Sequence, residues 1–191
     1  MHGALSIVLL LGSVSLAAAV PEGATREFDP CSLLTASDIQ LVQGERASST
    51  KASRPERGRF AVSQCFYSLP TFSKSISLEV TRPRSNEKEK PEDQWKAMFR
   101  GAPANEREEE ARLRKGGKRE EQQEEREKES VPPRKIAGVG DEAYWVGPAI
   151  VGGLYVRKGD SYFRLSVGGP DREAVKIEKL KKLGRKAVQR L

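Results

Sequence analysis

The sequence predicts a single α+β domain: one antiparallel sheet of about five strands, packed with a short N-terminal helix, a middle helix and a long C-terminal helix. Three observations carry this. Between residues 59 and 167 several short runs alternate apolar and polar residues and are separated by Gly, Pro and Asp clusters, the signature of strands and hairpins. Residues 171–191 repeat apolar side chains at helical spacing. At 191 residues the chain has the length of one domain able to bury a core. Its hydrophobic share is 37% and its charged share 32%, against about 45–50% and about 25% for an ordinary domain, so part of the chain is expected to lie outside that core.

Residues 1–19 have the pattern of a signal peptide. Leu5 to Ala19 is apolar or small throughout apart from Ser6, Ser13 and Ser15, and Ala17 and Ala19 satisfy the small-residue rule for cleavage after Ala19. A run of about 15 residues is short for a bilayer span, which needs roughly 20. The mature protein is therefore expected in the periplasm or secreted, with residues 20–30 as a flexible lead-in and 31–191 as the domain.

The first helix is expected after Cys31. Thr35 is placed to cap it, with Asp38 three residues on as an acidic capping box. Leu34 and Ile39 are spaced as a hydrophobic staple, and Gly44 supplies the stop. Leu33, Ile39 and Val42 are expected to face the core. Residues 45–58 read as a polar, basic loop. Arg59 to Leu69 and Ser75 to Thr81 then form an antiparallel pair, with Cys65, Tyr67 and Leu69 on one face of the first and Ile76, Leu78 and Val80 on one face of the second. Pro91 opens the middle helix at its first turn, and Trp95, Met98 and Phe99 are spaced to pack on the sheet. A strand at Glu142 to Val146 and a hairpin of Leu154–Arg157 with Ser161–Val167 around Lys158-Gly159-Asp160 complete the sheet. Asp171 is expected to cap the last helix. Its apolar stripe runs through Ala174, Ile177, Leu180, Gly184, Ala187 or Val188, and Leu191, while Lys176, Lys179, Lys181, Lys182, Arg185, Lys186 and Arg190 take the solvated side.

Charge is unevenly distributed. Residues 105–130 hold ten Glu and eight Lys or Arg, a local charge of −2 within a chain of net charge +7. Only Ala111 and Leu113 are apolar there, so this stretch is expected to be a solvated insertion. Its mixed sign argues against a nucleic-acid arm. The basic remainder favours an acidic partner, either another envelope protein or an anionic surface.

Several kinds of chemistry are excluded or discounted. His2 is the only histidine and falls in the leader, which removes Ser–His–Asp triads, Cys–His dyads and histidine metal sites from the mature chain. Two cysteines in an exported chain, Cys31 and Cys65, are expected to pair as one disulfide. Gly138-Val-Gly140-Asp-Glu-Ala143 matches a dinucleotide fingerprint, but it leads into a strand instead of opening a helix, so the match fails in context. Asp141 and Glu142 have no third ligand at useful spacing, and a turn role is expected for them. No metal, cofactor or catalytic residue is expected. Tyr155, Arg157, Tyr162 and Arg164 share one strand face and form the candidate binding surface.

Cys31-Ser-Leu-Leu-Thr35, Cys65-Phe-Tyr67, Gly138-Val-Gly-Asp-Glu-Ala-Tyr-Trp145 and Leu154-Tyr-Val-x-Lys-Gly-Asp160 together resemble a family of exported bacterial domains of unknown function, many of them actinobacterial envelope lipoproteins. The resemblance covers about 31–81 and 135–191. It implies a sandwich of the PsbP-like α/β/α type, a fold used by non-enzymatic binding and assembly factors, and transfers no catalytic residue. The insertion at 105–130 departs from the pattern. So does Phe28-Asp29-Pro30 before Cys31, where a lipobox needs small apolar residues. The function expected is therefore that of a non-catalytic binding or interaction module. Two alternatives are a carboxylate-dependent enzyme on envelope polymers and an anionic-surface binder working through the basic C-terminal helix.

Overall fold

The computed structural model describes residues 28–53, 58–85, 87–100, 132–148 and 150–191. The expected leader at 1–19 and insertion at 105–130 lie outside the described residues. A 3-10 turn at Pro30–Leu33 precedes α1 (Ala36–Gln43). The strands β1 (Ser49–Ala52), β2 (Ala61–Ser68) and β3 (Ile76–Arg82) follow, then α2 (Pro91–Phe99). Next come β4 (Arg134–Lys135), β5 (Glu142–Val146), β6 (Gly153–Lys158) and β7 (Ser161–Val167), and α3 (Glu173–Val188) ends the chain.

Among the described residues the architecture is α+β with one antiparallel sheet and three α-helices, but the sheet has seven strands, in the order β1-β2-β3-β7-β6-β5-β4, and not about five. Both additions are edges. β1, within the stretch expected to be loop, is Ser-Thr-Lys-Ala and exposed throughout, and β4 is a two-residue Arg-Lys strand. An edge strand that buries nothing carries no apolar alternation, and its polar residues are what keep an edge from pairing with other chains. Two meanders, β1–β3 and β4–β7, join in the middle of the sheet, where Leu78 faces Leu165 and Val80 faces Phe163 across β3 and β7.

Side-chain alternation sends one set of residues to each face. Cys65, Tyr67, Ile76, Leu78, Val80, Ala143, Trp145, Leu154, Val156, Phe163, Leu165 and Val167 build the main core with Leu33, Ile39, Ile177, Leu180, Leu183 and Ala187 from α1, α3 and the 3-10 turn. On the opposite face α2 lays Trp95, fully buried, among the rings of Tyr144 and Tyr162. Helices thus cover both faces. The expected helical trio divides: Trp95 and Phe99 pack on the sheet, while Met98 is 39% exposed.

The first helix has the expected punctuation. Thr35 Oγ1 accepts from the Asp38 N–H at 3.1 Å, and Asp38 Oδ2 accepts from the Thr35 N–H at 3.0 Å. Gly44 closes the helix at φ +78, a conformation that costs glycine little. Cys31 and Cys65 are bonded, with a Cα separation of 5.1 Å. Beside them the Tyr67 hydroxyl donates to the Cys31 carbonyl at 3.2 Å, and burial pushes that phenol's pKa up.

The last helix differs from expectation in three places. It starts at Glu173 with Arg172 at the N-cap, because the Asp171 carboxylate accepts from the Lys179 ammonium at 2.7 Å instead of capping. Ala174 is exposed, and Leu183, fully buried, fills the stripe. Lys176, expected in solvent, is only 4% exposed. It lies one turn before Leu180, so its aliphatic stem is buried with the stripe while its ammonium reaches the Ile150 carbonyl at 3.5 Å.

Candidate functional site

The four residues expected to form a binding surface share one strand face, much of which lies beneath α2. Tyr162 is 6% exposed, and its hydroxyl donates to Gln94 Oε1 of α2 at 2.8 Å. Burial raises its pKa. Tyr155 is half-buried, its ring edge-on to Phe99. Arg157 donates to the Gly159 carbonyl at 3.0 Å and lies 3.8 Å from the Asp141 carboxylate. Arg164 holds its guanidinium 5.9 Å from the Tyr155 ring centroid and donates to the Val151 carbonyl at 3.3 Å. Tyr155 and Arg164 are thus brought together at one corner, while Tyr162 and Arg157 serve the packing of α2 and the β6–β7 turn.

The motif that resembles a nucleotide-binding loop is a clamp on that turn. Gly140 adopts φ +60, and a Cβ there would lie 2.5 Å from the Arg157 carbonyl oxygen. Such an approach admits only glycine. The next residue, Asp141, donates its backbone N–H to that carbonyl at 2.9 Å. Its carboxylate accepts from the Gly159 N–H at 2.8 Å and from the Lys158 ammonium at 3.2 Å. The Gly159 hydrogen bond, helped by Lys158, holds the Asp141 pKa below its ordinary value against a smaller opposing effect of burial. Glu142 turns the other way, to α2. It accepts from Trp95 Nε1 at 2.8 Å and pairs with Arg100. The Trp95 hydrogen bond, with Arg100 and against some desolvation, keeps its pKa low as well. The two adjacent acids have separate partners and separate structural tasks. Among the described residues no group of His, Cys, Asp and Glu is arranged to hold a metal ion.

One cleft among the described residues lies on the helical face. Between α1 and α3 a groove of about 270 Å³ is lined by Leu41, Val42 and Leu183, by Lys182, Arg185 and Lys186, and by Asp38 and Gln189. Leu183, behind the cleft, is fully buried, whereas Leu41 on the rim is 78% exposed. Lys182, Arg185 and Lys186 are exposed, and Lys182 and Lys186 make no ion pair among the described residues. Arg185 donates through Nε to the Gly138 carbonyl at 2.9 Å. The one carboxylate present is already neutralised: Arg190 donates to Asp38 at 2.7 Å. Burial pulls the Asp38 pKa up, but the hydrogen bonds from Thr35 and Arg190 outweigh it and the net shift is downward.

Sequence reasoning placed the cations of this groove on a solvated helix side but missed Leu41 and Leu183. The available signal was Leu41 itself, an apolar residue of α1 out of phase with the core positions Ile39 and Val42. Among known proteins, no family model, curated protein or solved structure matches this chain.

Proposed function

We propose that this protein is a non-catalytic binding module of an exported envelope protein, and that the groove between α1 and α3 is where it takes its partner. The observation that carries this reading is the contrast between spent and unspent charge. Asp38, Glu45, Asp141, Glu142 and Glu178 all have lowered pKa values and sit in ion pairs, those of the first four joining separate elements or turns and that of Glu178 lying within α3. A general acid for glycosidic cleavage needs the opposite shift. Lys182 and Lys186, in contrast, make no salt bridge among the described residues and stand beside the apolar lining of Leu41 and Val42. The groove is smaller than the roughly 300–1,000 Å³ of small-molecule sites, which suits a side-chain anchor better than a cofactor. The disulfide supports the export reading. No helix among the described residues is long and apolar enough to cross a membrane.

The test is binding of an anionic aromatic probe, anilinonaphthalene sulfonate. Its fluorescence should rise on the native protein and lose that enhancement in Leu41→Asp. Turnover of envelope polymers that disappears in a folded Asp141→Asn or Glu142→Gln variant would overturn the reading in favour of an enzyme. The corner of Tyr155 and Arg164 supports a second binding face, because its guanidinium and ring are half-exposed together. Loss of partner binding in Arg164→Glu, with the groove variants unaffected, would assign the partner there.

A further inference from the structure

We infer that the occupant of the α1–α3 groove is an acidic amphipathic helix of a partner protein, docked by one apolar side chain and a row of carboxylates. This rests on the reading of the groove as the binding site and deepens it. Three features select the ligand class.

The first is spacing. Lys182, Arg185 or Lys186, and Gln189 just past the end of α3 line the groove and recur every three or four residues, so two cations and one amide form a row of about 10 Å at the α-helical rise. Carboxylates at i, i+3 or i+4, and i+7 of a second helix have the same rise and face one side. A helix laid beside α3 meets the row in register, whereas a single phosphate or carboxylate engages one position only. The second feature is shape. Exposed Leu41 and half-buried Val42 supply the accessible apolar lining, and the cavity of about 270 Å³ has the scale of an apolar anchor entering between helices. A lipid surface, which presents a broad front, touches Leu41 and the cations but does not fill a cavity between two helices. The third is charge. The rim is positive on its α3 side, and Asp38 at its edge is held by Arg190, so the acidic partner meets no uncompensated like charge.

The partner helix would place Leu or Phe over Leu41 and Val42, with Glu or Asp flanking it toward Lys182 and Lys186. Rim cations act chiefly on association rate and salt dependence, and the buried anchor on residence time.

The experiment is fluorescence anisotropy of a labelled, helix-forming peptide of about 14 residues with Glu at i, i+4 and i+7 and a single Leu stripe, titrated with the purified full chain. A Lys-for-Glu peptide, vesicles of phosphatidylglycerol and anilinonaphthalene sulfonate serve as separate arms. The acidic peptide should bind, weaken as salt rises from about 20 to 200 mM, and lose at least about tenfold in affinity against K182E/K186E and against Leu41→Asp. Thermal midpoints should stay near that of the native chain, since all three positions are exposed. Equal binding of the Lys peptide overturns the inference. So does vesicle binding without peptide binding, which assigns the groove to a lipid surface. If the sulfonate binds in a Leu41-dependent way and the peptide does not, the peptide inference fails and the groove remains a site. If neither binds, both fail.

Discussion

At the level of single residues, Glu142 and Gly140 show how a motif that looks chemical becomes structural. Glu142 is the acceptor that holds Trp95, and therefore α2, on the sheet. Glu142→Ala should cost about 1.5–3 kcal/mol, the usual worth of a charged hydrogen bond, and should free the Trp95 indole, read as a red shift in its emission. The same group sets an acid limb. Its folded pKa is lowered, so its contribution to stability is complete above the unfolded pKa of about 4.3 and is lost as pH falls through the lower folded value. Urea midpoints measured from pH 6 to pH 3 should fall for the native chain and fall less for Glu142→Gln; parallel curves would contradict this role. Gly140→Ala combines a left-handed backbone with a Cβ 2.5 Å from a carbonyl oxygen, and a loss of about 3 kcal/mol is expected by calorimetry. The turn character of these glycines was legible in sequence because it is local. What Asp141 grips was not, since its partners Lys158 and Gly159 reach it only through the β5–β6–β7 register.

At the level of elements, legibility followed the same division. The capping box of α1 was readable because all its atoms come from four successive residues. β1 and β4 were not, because a polar edge strand has no hydrophobic period to detect. In α3 the stripe was readable in outline, but Lys176 and Leu183 lie at its margins, and which margin faces the sheet depends on how the helix is rotated. That rotation is fixed by contacts: a Cβ on Gly184 would come within 2.9 Å of Val139 Cγ1, and Arg185 holds the Gly138 carbonyl. Leu183→Ala should therefore cost about 2–5 kcal/mol as a core truncation, far more than Ala174→Gly at an exposed position. The disulfide joins the 3-10 turn to β2 across 34 residues. Cys31→Ser with Cys65→Ser should lower stability by about 3–4 kcal/mol on the loop-entropy model. It should also raise the urea slope, because the unlinked chain exposes more surface when unfolded. An unchanged midpoint would show that the turn is held by Tyr67 and the core alone.

For the whole molecule, the two faces of the sheet divide the work. The face beneath α2 carries Tyr144, Tyr155 and Tyr162 against Trp95 and Phe99, and the acids of the motif are spent on holding α2 and the β6–β7 hairpin. The other face is covered by α1 and α3, whose junction leaves an apolar lining and unspent positive charge. That junction is made by residues far apart in the chain: the Arg190–Asp38 bond at its edge spans 152 residues. No local pattern announces such a groove, so the sequence directs attention to Tyr155, Arg157, Tyr162 and Arg164 while the cleft forms elsewhere. Nitrogen–proton correlation spectra of the labelled protein, titrated with the acidic amphipathic peptide, test this division most directly. Amide shifts confined to 38–42 of α1 and 182–189 of α3 are the predicted result. Shifts centred on Tyr155 and Arg164, or none at saturating peptide, would contradict it.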